Sequence, residues 1–133
     1  LSVDGQAKVQ RVGVYLRVST LDQEAQNQLL QLQALCDQHG WRVYKTHVDL
    51  ESGRKGKRER AEFAELFRDA VRRRFDLVLF WSLDRFSREG ITKTIAYLQQ
   101  LDAAGVKFKS LTEPLLDSDN ELVAHILLGV LSY

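Results

Sequence analysis

The sequence predicts an α/β domain built on a central, mostly parallel sheet of about four to five strands flanked by helices. Three observations lead there. Short β-branched and aromatic runs alternate with longer segments whose apolar residues recur every three or four positions, the order of a parallel sheet with right-handed helical crossovers. One run, Leu77–Trp81 (LVLFW), is apolar without a break, as a strand covered on both faces requires. The 133 residues fit one domain, and 44% apolar with 28% charged residues is ordinary for a globular chain.

The elements follow in order. Residues 1–10 are polar without a period and read as a flexible arm, leaving 11–133 as the folded domain. Val12–Val18 (VGVYLRV) reads as a strand. Thr20 and Gln23 match a capping box, opening a helix that runs to about His39, with Leu29, Leu32, Leu35 and Cys36 at helical spacing and Gly40 as its stop. Trp41–Val48 alternates and reads as a second strand. Asp49–Lys57 is a polar loop containing glycine. A helix returns near Arg60 and continues to Arg74, with Phe63, Leu66, Phe67, Ala70 and Val71 on one face. Leu77–Trp81 is the third strand, and Ser82–Gly90 a turn region. A helix over Ile91–Ala104 stops at Gly105, and Val106–Leu111 is the fourth strand. Pro114 sits in a loop. Ser118 and Glu121 match a second capping box, which opens the final helix.

That last helix is apolar nearly all the way round between Leu122 and Val130, so it must be buried on more than one side. Either it is a plain core helix or it forms a subunit interface. No C-cap signal precedes Tyr133, which reads as a long helix cut short in an excised fragment.

Several classes are set aside by composition. No apolar run approaches the ~18 residues of a membrane span, and the N-terminus lacks a signal pattern. The single cysteine, Cys36, has no internal disulfide partner, which points to a reducing cytoplasm. His39, His47 and His125 have no metal-ligand spacing, so no zinc site is expected. The net charge of +1 conceals an asymmetry. From Arg54 to Arg88 there are eleven Lys/Arg against six Asp/Glu, a local +5, and the remainder is acidic. Such a distribution fits one basic face or a solvated helix of mixed charge.

Ligands of open parallel sheets bind beyond the carboxyl ends of the strands. Two strands deliver polar groups there. The first ends in Arg17-Val18-Ser19-Thr20, and strand alternation aims Arg17 and Ser19 the same way. The third is followed by Ser82-Leu83-Asp84-Arg85-Phe86-Ser87-Arg88. If that turn is helical, Arg85 and Arg88 share a face and Asp84 reaches Arg88 at i+4. A serine hydroxyl beside guanidiniums and a helix N-terminus suits a phosphate. Each piece also has a plainer reading: Ser19 or Thr20 as a helix cap, Arg85 and Arg88 as surface charges, Arg54–Arg60 as a linker. A serine hydrolase would need a Gly-x-Ser-x-Gly elbow and a histidine. A nucleotide-binding module would need a glycine-rich loop after the first strand. Neither pattern surrounds Ser19.

Tyr15-Leu16-Arg17-Val18-Ser19-Thr20 resembles the Tyr-x-Arg-Val-Ser-Thr signature of the serine site-specific recombinases, the resolvase and invertase family. Leu83-Asp84-Arg85-Phe86-Ser87-Arg88 resembles their Leu-Asp-Arg-x-x-Arg motif. Ser52-Gly53 followed by Arg60 and Phe63 resembles their Ser-Gly loop leading to an arginine at the next helix. The resemblance runs from about Arg11 to the end of the chain and implies the N-terminal catalytic domain. It implies Ser19 as nucleophile; Arg17, Arg60, Arg85 and Arg88 as arginines on the scissile phosphate; and Asp84 as the motif aspartate. It further implies Gln23, Gln28, Ser52 and Arg58 as residues flanking the site or contacting DNA phosphates. Arg60 is preferred to Arg58 because Phe63 fits the apolar helix position. The general base stays open between Asp84 and an arginine that lowers the serine pKa. No metal and no other cofactor is implied. The partners implied are double-stranded DNA and a second copy of the chain, with a tetramer in the synaptic complex and no membrane. The place implied is the cytoplasm, on the nucleoid or encoded by a mobile element. A DNA-binding region beyond residue 133 is also implied. The alternative is an inactive recombinase-like module for DNA binding or assembly.

Overall fold

The computed structural model describes residues 8–51 and 60–131. Residues 1–7 of the expected arm, most of the basic loop with Ser52 and Arg58, and Tyr133 lie outside the described residues. The element order is β1 (Arg11–Val18), α1 (Gln23–His39), β2 (Arg42–Leu50), α2 (Ala61–Val71), β3 (Leu77–Phe80), α3 (Leu83–Phe86), α4 (Ile91–Ala103), β4 (Lys107–Ser110) and α5 (Glu121–Leu131).

The four strands form one parallel sheet in the order β2-β1-β3-β4. Side-chain alternation divides its two faces. Val12, Val14, Leu16 and Val18 of β1 and Leu77 and Leu79 of β3 pack beneath α1, against Ala25, Leu32 and Cys36. Tyr15 of β1 and Val78 and Phe80 of β3 face the other way, against α2, α3 and α4 through Phe63, Leu66, Phe86, Leu98 and Leu101. Thus β1 and β3 are buried on both faces, which explains the unbroken apolar run of β3 and the mainly apolar stretch Val12–Leu16 of β1. Gly13 is required by packing: a Cβ there would lie 2.7 Å from the buried ring of Phe75.

Several boundaries differ from the sequence reading, each for a local reason. The N-cap of α1 is Asp22, whose carboxylate accepts from the Ala25 N–H at 2.9 Å. Thr20 therefore caps nothing, and the apparent capping box was two residues early. Asn120, not Ser118, caps α5, accepting from Leu122 and Val123 N–H groups. Ser118 Oγ is taken up by the Phe108 N–H of β4. The turn after β3 contains the one-turn helix α3, whose Leu83 N–H is satisfied by Glu113 Oε1 at 2.8 Å. β2 runs on to Leu50, and α2 ends at Val71 rather than Arg74. Among the described side chains of α5, Val123 packs on the core while Leu122 and Ile126 are exposed, so burial on more than one side is not met there within this chain.

Candidate active site

The site is placed by the strand order. β1 connects to β2 on one side, while β3 and β4 lie on the other, so the order reverses between β1 and β3. A crevice forms outside the carboxyl ends of strands at such a switch point. Here a cleft of about 320 Å³ opens there, lined by Arg17, Ser19, Gln28, Glu51, Asp84, Arg85 and Arg88 among others.

Ser19 stands just past the last residue of β1 and is exposed. Asp22 caps α1, so the capping role that sequence alone allows for Ser19 or Thr20 is already filled. Among the described residues, no group hydrogen-bonds the Ser19 hydroxyl.

Arg17 is 8% exposed, an unusual place for a guanidinium at the end of an apolar strand. Its Nη2 donates to the main-chain carbonyl of Asp84, joining β1 to α3, and its Nη1 lies 3.5 Å from Glu51 Oε2. Its buried Nε has no partner among the described residues. Burial lowers the Arg17 pKa from the ordinary arginine value, and the nearby cations Arg60 and Arg88 add to that, while Glu51 works against it.

The segment after β3 supplies the opposite wall. Ser82 Oγ donates to Asp84 Oδ1 at 2.6 Å, and this bond, with Arg85 nearby, holds the Asp84 carboxyl below its ordinary value. Arg85 Nη1 donates to Gln28 Oε1 at 3.2 Å, and Gln28 is 4% exposed on α1, so the cleft is tied across its width. Arg88 lies past the end of α3. It pairs with Glu51 Oε2 at 2.5 Å rather than with Asp84, because the helix stops at Phe86 before an i+4 contact exists.

Two expected residues lie elsewhere. Gln23 is exposed and donates to Asn27 Oδ1 one turn along α1. Arg60 opens the neighbouring cleft between α2 and α4, which shares Arg17 and Arg88 with the first. It stacks 3.5 Å over the Phe63 ring and donates to Glu89 Oε2 at 3.0 Å and to the Phe86 carbonyl.

Sequence reasoning overlooked the carboxylates that organise these cations. Asp49, 4% exposed on β2, accepts from the Tyr15 hydroxyl at 2.8 Å and from the Glu62 and Phe63 N–H groups at 2.9 Å each. It thereby fixes the start of α2 and hence the stem of Arg60. Burial raises the Tyr15 phenol well above its usual pKa. Glu51 was overlooked as well, and Glu89, which the sequence offered as a surface partner of Arg85 or Arg88, pairs with Arg60 instead. His47, which the sequence reading considered only as a metal ligand without ligand spacing, is buried: its Nδ1 lies 3.2 Å from Glu62 Oε1 and its Nε2 3.9 Å from Asp69 Oδ2. His47, Glu62 and Glu65 bring three potential metal-ligand atoms within 4.8 Å, but the Lys45 ammonium already bridges the two glutamates from 2.7 and 3.9 Å.

A parallel α/β domain with an open hydroxyl and gathered guanidiniums at its switch point is an anion-binding architecture. The chain belongs to the resolvase N-terminal domain family, whose pattern matches residues 12–133. It is similar to the N-terminal catalytic domain of TP901-1 integrase, at 30% identity over 92% of each chain with a TM-score of 0.74. It is also similar to the C-terminal catalytic domain of ISC1926 TnpA, an IS607-like serine recombinase. That match has 27% identity, 76% of this chain and 68% of that chain covered, and a TM-score of 0.64. A resolvase family site-specific recombinase from Streptococcus pneumoniae shares the fold at 22% identity, with 92% of this chain and 86% of that chain covered and a TM-score of 0.72. No curated protein matches the chain. The family and the resolvase-type catalytic-domain fold are thus those that the motifs imply. No helix among the described residues is long and apolar enough to cross a membrane.

Proposed function

We propose that this domain cuts and rejoins DNA at specific sites through a covalent link between Ser19 and a DNA 5′-phosphate. The observation that carries the reading is the meeting of an uncapped, solvent-facing Ser19 with Arg17, Arg85 and Arg88 in one cleft at the sheet's switch point. In the reaction, Ser19 Oγ bonds to a backbone phosphorus, the bond from phosphorus to the 3′-oxygen breaks, and the 3′-hydroxyl leaves with a proton. The serine proton passes to Asp84 or to solvent. A freed 3′-hydroxyl then attacks the phosphoserine and gives up its proton, the bond from phosphorus to Ser19 Oγ breaks and the serine is reprotonated, so the strand rejoins without a nucleotide cofactor.

Negative charge grows on the non-bridging oxygens as phosphorus is attacked. Preplaced guanidiniums stabilise that charge, and their planar forks match two oxygens at once. Arg17 and Arg85 have the rigid supports this requires, in the Asp84 carbonyl and Gln28. Arg60 joins them after leaving Glu89. Ser52 and Arg58 serve as further phosphate contacts.

Duplex DNA is the partner, and two copies of the chain associate through α5, whose Leu122 and Ile126 are exposed. Two such dimers assemble the synaptic tetramer. Ile126→Glu should leave the domain folded and shift its sedimentation from dimer to monomer. A nicked duplex carrying the recombination site would trap the covalent complex in the intact protein. Peptide mapping should find DNA on Ser19, and a link to any other residue would overturn the chemistry.

A further inference from the structure

The cleft beside Ser19 already contains an anion. Glu51 follows β2 directly, and its N–H donates to the Val18 carbonyl at 2.7 Å, which fixes the residue beside the end of β1. Its Oε2 takes Arg88 Nη1 at 2.5 Å and lies 3.5 Å from Arg17 Nη1. One carboxylate oxygen thus bridges two guanidiniums that come from β1 and from beyond α3. A non-bridging phosphate oxygen makes the same kind of contact with paired arginines.

We propose that Glu51 is a resident phosphate mimic, a counter-anion that occupies the Arg17–Arg88 pair until a DNA phosphate displaces it. The two anions exclude one another. A phosphodiester seated on the same guanidiniums would meet the Glu51 carboxylate at contact distance, where like charges repel strongly. Phosphate entry therefore requires Glu51 to swing outward, and its side chain is free to do so at 36% exposure. Meanwhile the carboxylate keeps the nearly buried Arg17 compensated. It also blocks the cleft to small phosphate anions, which lack the rest of the DNA contacts needed to expel it. The anion exchange rests on geometry alone; its meaning as a guard on strand cleavage rests on the recombinase reading.

The test is Glu51→Gln, with Glu51→Ala as a second variant, in the full chain. Inorganic phosphate is titrated while the arginine side-chain Nε–H signals of Arg17 and Arg88 are followed by NMR. Loss of the carboxylate should tighten phosphate binding at these two residues roughly tenfold, equivalent to ~1.4 kcal/mol. Glu51→Asp, which keeps the charge on a shorter stem, should fall between. Unchanged or weaker binding in both neutral variants would overturn the proposal, as would signals from Arg17 and Arg88 that ignore phosphate in every form. Mapping of the DNA-linked residue separates this outcome from the fate of the recombinase reading. A link at Ser19 with no tightening removes the Glu51 inference alone. Tightening with a link elsewhere removes the recombinase chemistry and leaves the anion exchange standing.

Discussion

Replacing Asp49 with alanine tests how the site is held to the sheet. The carboxylate is buried and accepts three hydrogen bonds, from the Tyr15 hydroxyl and from the Glu62 and Phe63 N–H groups. The last two belong to the first turn of α2, so Asp49 acts as an N-cap supplied from a neighbouring strand. Losing an N-cap costs ~1–2 kcal/mol. A buried tyrosine hydroxyl left without its acceptor adds ~1–2 kcal/mol. Release of the carboxylate's own desolvation offsets part of this, and a net loss of ~2 kcal/mol is expected. For a domain of this size that corresponds to a drop in Tm of ~6–10 °C. Urea denaturation of Asp49→Ala, Tyr15→Phe and the double variant would measure it. The cycle should give a coupling of at least ~1 kcal/mol between the two side chains. A single-variant loss below ~1 kcal/mol, or additive single variants, would refute the idea that this triad of bonds anchors α2.

Other outcomes follow from the same geometry. Gly13→Ala pushes a methyl group into the Phe75 ring and should cost ~1–3 kcal/mol, partly restored by Phe75→Leu; a neutral Gly13→Ala in urea would contradict the close approach. Arg85→Lys keeps the charge but loses the fork, so covalent complex formation should fall ~100- to 1,000-fold. The urea midpoint should barely move, and a variant that cleaves at the normal rate would make Arg85 a surface charge. Burial depresses the His47 pKa, partly offset by Glu62. The unfolded chain then takes up a proton near pH 6.5 that the folded chain resists, so His47 contributes full stability above that pH and loses it as pH falls further. An NMR titration placing the His47 pKa above 6.5 would reverse that sign.

The fold was legible because its signals are local. The apolar run of Leu77–Phe80, the glycine stop at Gly40 and the spacing of Phe63, Leu66 and Ala70 each depend on residues close in sequence. The candidate site was half legible. Arg17, Ser19, Asp84, Arg85 and Arg88 stand in short motifs, and all five line one cleft. What escaped were the pairings, since each joins residues far apart along the chain; Gln28 itself was expected beside the site, but not its bond to Arg85. Glu51 meets Arg88 across 37 positions, Gln28 meets Arg85 across 57, and Asp49 meets Tyr15 across 34. The capping errors have the opposite cause. Thr20 and Ser118 satisfy a pattern, but Asp22 and Asn120 lie two residues nearer the helix and have side chains that reach its N–H groups. Arg60 was correctly read as opening α2, yet sequence carries no sign that Phe63 and Glu89 would hold it in the adjoining cleft.

The position of β1 has a mechanical consequence. Like β3, it has neighbours on both sides and helices over both faces, and it ends one residue before Ser19. The Ser19 hydroxyl, the nucleophile proposed above, is therefore mounted at the end of a central strand of the sheet. Arg88 and Glu51, by contrast, ride on short segments at the rim. On the proposed reading, reshaping of the cleft around a DNA strand comes from those rim segments and from the DNA, with the Ser19 hydroxyl as the fixed reference point. Engineering that aims to alter how a duplex approaches should accordingly target the rim and leave β1 untouched.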